Sequence, residues 1–238
     1  NNLTKRNFYV NIISRNPHTY KKIQVQPKLG QISLKSCDIK DRSKLLLATK
    51  GSEYVFNLTG LLIDKKKNSF NNVHVLGTEN LVSVAKENKV KRIIHLSAIG
   101  AAKDTLSKYS LTKYLGESNI KQFQDYLIIR PSIVYGDEDN FINLFAKMSQ
   151  FSPILPLVGG GQTKFQPIWV EDLVKIIMLL SEKSNFKNKI VEIGGNQLVT
   201  FEQIIKFILK EIGLKRYLLK IPFSQAKKIA FFLEKMPK

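Results

Sequence analysis

The chain has 238 residues, 43% hydrophobic and 24% charged, the make-up of an ordinary globular chain that buries a core without disulfides or metal. No uncharged apolar run reaches the ~18 residues of a membrane span, and the one cysteine, Cys37, excludes an internal disulfide framework and a multi-Cys zinc site. Lys and Arg number 38 against 19 Asp and Glu, a net charge of +19. That balance favours anionic partners, but the arginines are only Arg6, Arg15, Arg42, Arg92, Arg130 and Arg216, and the lysines are spread along the chain. Solvated lysine is therefore expected rather than a nucleic-acid footprint.

The opening residues, Asn1 to Arg6, read as the tail of a helix. Phe8 to Ile13 (FYVNII) is a β-type run that stops at Ser14-Arg15-Asn16-Pro17, and Gln31 to Leu34 is a second, followed by Cys37-Asp38-Ile39. Leu45 to Thr49 is helix-like, and Tyr54 to Leu58 reads as a third strand. Residues 71–88 carry apolar positions at helical spacing, Arg92 to Leu96 (RIIHL) is a fourth strand, 109–121 a helix, and Tyr126 to Ile129 a fifth strand. Strands separated by helices predict a parallel α/β sheet covered on both faces.

Beyond Gly136 the rhythm changes. A helix is expected over 140–149, a loop through Pro153, Pro156 and Gly159-Gly160-Gly161, and a short strand at Ile168 to Val170. A helix at 171–182, a strand at Ile190 to Ile193 and a helix at 201–212 capped by Thr200 follow. The division expected from this change is 1–136 and 137–238, the second part being a smaller region that closes over the first. The glycine triplet follows no predicted strand and opens no helix, so a surface turn is expected there rather than a phosphate nest. After Ile221-Pro222 a last helix is predicted, with Ala226, Ile229, Ala230 and Leu233 on one side and Lys227, Lys228 and Lys235 on the other, Phe231 among them. Such a helix suits either packing on the lobe or an anionic membrane surface.

Tyr109-Ser110-Leu111-Thr112-Lys113 places Tyr and Lys at i and i+4 on one helix face. A lysine cation beside a tyrosine stabilises the tyrosinate, which then exchanges a proton with a substrate hydroxyl or carbonyl. About one such spacing is expected by chance in a chain of this composition. Position adds weight: Ser97 lies just past the strand 92–96, at the strand end where ligands bind in open α/β sheets.

Several blocks together resemble a family. They are His95-Leu96-Ser97-Ala98-Ile99-Gly100-Ala101, Tyr109 to Glu117, Arg130-Pro131-Ser132-Ile133-Val134-Tyr135-Gly136, Pro167 to Leu173 and Glu192-Ile193-Gly194-Gly195. The chain resembles the atypical, extended short-chain dehydrogenase/reductases (NAD-dependent epimerase/dehydratase-like), in particular the group of the accessory NAD(P)H-binding subunit of respiratory complex I and its bacterial relatives. The resemblance implies a doubly wound, Rossmann-type parallel sheet with a small C-terminal substrate-side lobe.

The resemblance also implies a dinucleotide site. Ser14 and Arg15 would read the adenosine ribose, and an arginine without a carboxylate there favours NADP(H) over NAD(H). Asp38 and Ile39 would contact adenine, Leu58, Thr59 and Gly60 would line the cofactor, and Pro131, Ser132 and Val134 would form the nicotinamide-side loop. Tyr109, Lys113 and Ser97 would be catalytic. The family's glycine-rich turn and the strand before it do not appear in the chain, so a protein longer by roughly 25 residues at its start is expected. In one alignment the family's catalytic Ser or Thr falls on Ala98, and His74 stands where many members have an asparagine that organises a proton-relay water. These departures suggest a member that keeps the nucleotide as a mainly structural group and serves respiratory-chain assembly or quinone metabolism. A working NADP-dependent reductase, dehydrogenase or epimerase, and a membrane-surface module, are the alternatives. The expected partners are a dinucleotide, complex I subunits or an anionic membrane surface. The expected place is the cytoplasm or the periphery of the inner membrane, on the matrix side in an organelle.

Overall fold

We describe residues 2–19, 28, 30–64 and 69–225 of a computed structural model of the chain. The elements run α1 (Asn2–Lys5), β1 (Val10–Ser14), β2 (Ile32–Ser36), α2 (Arg42–Thr49), β3 (Tyr54–Asn57), a π-helical segment (Asn71–Leu76), α3 (Gly77–Glu87), β4 (Arg92–Leu96), α4 (Lys108–Ile120) and β5 (Tyr126–Pro131). They continue β6 (Val134–Tyr135), α5 (Ile142–Phe151), β7 (Ile154–Val158), β8 (Lys164–Phe165), β9 (Ile168–Trp169), α6 (Val170–Glu182), β10 (Lys189–Ile193), β11 (Val199–Thr200), α7 (Phe201–Glu211) and β12 (Tyr217–Ile221). They fall into two compact units, residues 1–130 with 180–191 and residues 131–179 with 192–238. The helix predicted from Ala226 onward lies outside the described residues. No helix among the described residues is long and apolar enough to cross a membrane.

The first unit is the parallel α/β layer that the alternating pattern predicts. A four-stranded sheet runs in the order β10-β5-β4-β3, with β3 and β4 parallel and β4 and β5 parallel. Ile93, Ile94, Leu127, Ile128 and Ile129 are all at most 1% exposed, as expected where β-branched and apolar runs are covered on both faces. β1 and β2 form a separate parallel ladder, Val10 opposite Ile32 and Ser14 opposite Ser36. Ile13 of β1 and Val55 of β3 pack on one core of Leu45, Leu81, Val84, Ala85, Ile93 and Ile128. Cys37 is buried in that core; its N–H donates to the Ser14 carbonyl (2.9 Å), and burial, then Asp41 and Asp38, raise its thiol pKa. Asp41 caps α2, accepting from the Lys44 N–H (3.0 Å).

Where one helix is predicted over 71–88, the structure has π-helical residues 71–76 leading into α3. The segment passes close to α4 on one side and to Ile39 on the other. A Cβ on Gly116 would overlap the His74 carbonyl oxygen, and one on Gly77 would lie 2.8 Å from Ile39 Cγ2. Thr78 then satisfies the displaced carbonyls, its hydroxyl lying 2.7 Å from the His74 oxygen and 2.8 Å from that of Val75.

In the second unit, α5 and α7 cover a core of Leu155, Leu157, Phe201, Ile204, Ile205 and Ile208 with Phe141 and Phe145 against it. Thr200 and Gln203 close a capping box at the start of α7. The stretch expected as a loop around Pro153 and Pro156 is instead β7, paired in parallel with β12. Pro156 is tolerated because, among the described residues, the ladder has two strands, and a proline at a sheet edge forfeits no second partner. Gly159, Gly160 and Gly161 all have left-handed φ (66°, 67° and 76°), and the Phe223 ring occupies the space a Gly159 side chain would need.

Candidate functional site

Parallel strands gather their carboxyl ends on one side, and loops leaving those ends carry most of the expected site residues of the first unit. Ser14 closes β1 and Arg15 follows it, exposed. Their carbonyls are tied to the loop after β2: Ser14 oxygen accepts from the Cys37 N–H (2.9 Å) and Arg15 oxygen from the Ser36 hydroxyl (2.9 Å). Asp38 accepts from the Lys40 N–H (3.0 Å), and Ile39 packs under Gly77 at the start of α3. This group is therefore held together around the ends of β1 and β2.

A second group surrounds α4. Ser107 caps that helix, accepting from the Ser110 N–H (3.3 Å), and sets Tyr109 in its first turn and Lys113 one turn on. Lys113 is 5% exposed, and its ammonium donates to the Leu96 carbonyl (3.1 Å), the residue before Ser97. The same nitrogen lies 3.4 Å from where a Cβ on Gly60 would stand, so the loop Leu58-Thr59-Gly60 passes within van der Waals reach of the ammonium. Burial depresses the Lys113 pKa to about 8, against a raising influence from Glu117. Glu117 is fully buried and bidentate with Arg130 (2.8 and 2.7 Å). Ser97 is buried, its N–H donates to the Ile129 carbonyl (2.7 Å), and its hydroxyl has no hydrogen-bond partner among the described residues.

Burial raises the Tyr109 pKa, while the lysine is committed to Leu96. The Tyr109 ring instead meets the edges of His74 (centroids 5.7 Å apart) and Phe70 (5.5 Å), and Phe70 stacks on His74 (5.3 Å). Pro131, Ser132 and Val134 belong to the second unit. There Ser132 donates its N–H to the Ile193 carbonyl (2.8 Å) and accepts from the Gln166 N–H (3.3 Å), and Val134 pairs with Ile168.

Three interactions around the site are not apparent from sequence spacing. Asn57 and His95 are partners across β3 and β4, Asn57 Nδ2 lying 3.0 Å from His95 Nδ1. Asn57 Oδ1 accepts from the Thr59 N–H (3.1 Å), which fixes the amide orientation, so His95 accepts at Nδ1 and carries its proton on Nε2. Burial, then the positive charge of Lys113, lowers the His95 pKa to about 3. His74 joins the loop to α4: its Nε2 is 3.1 Å from the Leu61 N–H nitrogen and its Nδ1 3.1 Å from Thr112 Oγ1. Asp64 joins them again, accepting from Lys108 (2.5 Å) and from the Phe70 N–H (2.8 Å), and these hold its carboxyl below the usual range.

Comparison with known proteins gives these groups a setting. The model of the NAD dependent epimerase/dehydratase family matches residues 1–194. The chain is 30% identical over 207 residues to NADH dehydrogenase (ubiquinone) 1 alpha subcomplex subunit 9, mitochondrial, of Dictyostelium discoideum, covering 86% of this chain and 57% of that protein. It is 26% identical over 236 residues to the mitochondrial NADH-ubiquinone oxidoreductase 40 kDa subunit of Neurospora crassa, covering 99% of this chain and 62% of that one. The chain thus spans less than two thirds of the length of these relatives. Among solved structures, MoeE5 in complex with UDP-glucose and NAD superposes with a TM-score of 0.76 at 19% identity, covering 93% of this chain and 79% of the other, which shows the shared fold.

Proposed function

Because the chain belongs to the NAD dependent epimerase/dehydratase family, we propose that it binds NADP(H) as a mainly structural group and acts as an accessory or assembly factor of a respiratory NADH:quinone oxidoreductase, or in quinone metabolism. The observation that carries this reading is the state of α4. Lys113 donates to the Leu96 carbonyl beside Gly60, and burial raises the Tyr109 pKa. That arrangement suits binding better than proton transfer. The names of the curated relatives support the respiratory setting.

The residues present fit a nicotinamide dinucleotide. Gly60 adjoins a buried ammonium, and the Ser97 hydroxyl is buried without a partner among the described residues. Arg15, exposed at the end of β1 with no carboxylate at Ser14, would hold a 2′-phosphate, and Lys113 would hold the nicotinamide ribose. Pro131, Ser132 and Val134 would supply the nicotinamide-side contacts. When bound, the group supplies a hydride donor or acceptor.

Titration of the protein with NADPH and NADH, followed by nicotinamide fluorescence, tests the binding half. NADPH is expected to bind tighter than NADH, and failure of both to bind overturns it. Co-migration of the tagged chain with the respiratory complex or its assembly intermediates on native gels tests the other half, and its absence from all of them overturns that part.

The Ser97 hydroxyl, buried and without a partner among the described residues, favours a second reading, an active reductase, dehydrogenase or epimerase. There Ser97 orients a substrate carbonyl, Tyr109 donates or accepts the proton at the carbonyl oxygen, and Lys113 released from Leu96 stabilises the tyrosinate. Unchanged turnover of an identified substrate by Tyr109→Phe would exclude that mechanism.

A further inference from the structure

We infer that His74 is a positioning residue that clamps the Leu58–Leu61 loop to helix α4, in place of any part in proton relay. The inference deepens the site reading above and rests on it for its link to nucleotide. The hydrogen-bond directions carry the argument. A backbone N–H only donates, so His74 Nε2, 3.1 Å from the Leu61 nitrogen, must present its lone pair there. The neutral ring then has its proton on Nδ1, which points at Thr112 Oγ1, 3.1 Å away. The Thr112 hydroxyl proton is in turn directed at the carbonyls of Lys108 (2.9 Å) and Tyr109 (3.0 Å). One directed chain of bonds therefore runs from the Leu61 N–H through the imidazole and a threonine hydroxyl to the main chain of α4, the helix that carries Tyr109 and Lys113.

Both nitrogens of the ring are committed, so neither is left to take a proton from a water or a substrate. The ring plane is set by Phe70 stacked on it and by the Tyr109 edge contact. The main chain of His74 is set by Thr78 and by the close pass of Gly116. His74 is 3% exposed and so cannot swing away without opening the packing of π segment and helix. Asp64 and Lys108 add a second, exposed tie between the same loop and the same helix. The loop so held is the one whose Gly60 adjoins the Lys113 ammonium. Loss of the clamp should let that loop drift from Lys113.

Two variants divide the two bonds. In His74→Asn the amide reaches Thr112 but not Leu61; in His74→Gln a carbonyl oxygen reaches the Leu61 N–H, as Nε2 does. Both lose the ring stack on Phe70 and should lower thermal stability alike. On the full chain, His74→Asn is expected to bind NADP+ about fivefold more weakly than wild type and His74→Gln within about twofold, as loss of one hydrogen bond predicts. Hydrogen exchange at the Leu61 amide should be faster in His74→Asn than in His74→Gln, and 15N spectra should show the Nδ1–H tautomer. Equal affinity of His74→Asn and wild type, equal Leu61 exchange in the two variants, or an Nε2–H tautomer overturns the clamp. If the wild-type chain binds no NADP+, the site reading fails, and Leu61 exchange with the tautomer still decides the clamp. Should both His74 variants misfold, Thr112→Val against Thr112→Ser makes the same comparison: faster Leu61 exchange in the valine variant alone supports the clamp, and no difference overturns it.

Discussion

Lys113 of α4 and Leu96 of β4 are joined by one hydrogen bond, the lysine ammonium to the leucine carbonyl, 3.1 Å long. The bond fastens the helix expected to carry the site's chemistry to the end of a central strand. It also leaves a cation 5% exposed, with Glu117 raising its pKa less than burial lowers it. Burying such a charge costs stability.

Replacing Lys113 by Met therefore separates stability from function. The Lys113→Met chain is expected to be as stable as wild type, or up to about 3 kcal/mol more stable, in urea unfolding at pH 7, because it no longer buries a cation. Its NADP+ affinity should fall at least about tenfold. A loss of stability greater than about 1 kcal/mol would show that the bond to Leu96 outweighs the desolvation of the ammonium.

Acid should weaken the first unit from near-neutral pH downward. His74 titrates at about 4 and His95 at about 3 in the folded chain, against about 6.5 when unfolded. Burial lowers both, Lys113 adds to it for each, His74 adds to it for His95, and Asp64 opposes it for His74. Between those values the unfolded chain binds more protons, so the two histidines' contribution to stability falls as pH drops from about 6.5 toward 4 and levels off below about 3. For His74 alone the loss is on the order of 3 kcal/mol. Denaturant midpoints measured from pH 7 to 4 should show it, and His74→Gln should have a shallower slope; identical slopes would mean that His74 does not titrate in this range.

Gly116→Ala tests the packing behind the π segment. Its Cβ would overlap the His74 carbonyl oxygen, and backbone cannot give way as a flexible side chain does. A loss of about 1–3 kcal/mol is expected, with faster exchange at the Leu61 amide as His74 is displaced. An unchanged melting temperature would indicate that α4 shifts without strain.

Arg15→Glu should invert the nucleotide preference. A carboxylate at the end of β1 repels a 2′-phosphate and accepts a 2′-hydroxyl. Fluorescence titration should show NADPH affinity falling about tenfold or more and NADH affinity holding or rising. Arg15 is exposed, so the melting temperature should change little; equal loss of both nucleotides would place Arg15 outside the ribose contact.

The layer of parallel strands was legible because its pattern is local. The runs RIIHL and YLII are short and rich in isoleucine and leucine, and β4 and β5 lie where those runs do. Thr200 likewise signals the start of α7 from its own chemistry and that of Gln203. The ladder of β7 with β12 was hidden by Pro153 and Pro156, which punctuate a sequence without breaking a two-stranded edge, and by the distance along the chain to Tyr217. The π segment was hidden because apolar spacing over 71–88 fits an α-helix equally well. At the site, Tyr109 and Lys113 were readable as an i, i+4 pair. The bonds of Lys113 to Leu96, His74 to Leu61 and Asn57 to His95 join residues that only the fold brings together.

Cys37 turns the first unit into its own clock. It is the chain's one thiol, 5% exposed in the core beneath β1 and α2, with its pKa raised by burial and two nearby carboxylates. A maleimide dye in excess can attach only when that core parts, so the rate of labelling counts openings of the unit without interference from any other sulfhydryl. Nucleotide that braces the β1 and β2 loops flanking Cys37 should slow the count, giving a readout of occupancy that needs neither turnover nor fluorescence from the ligand.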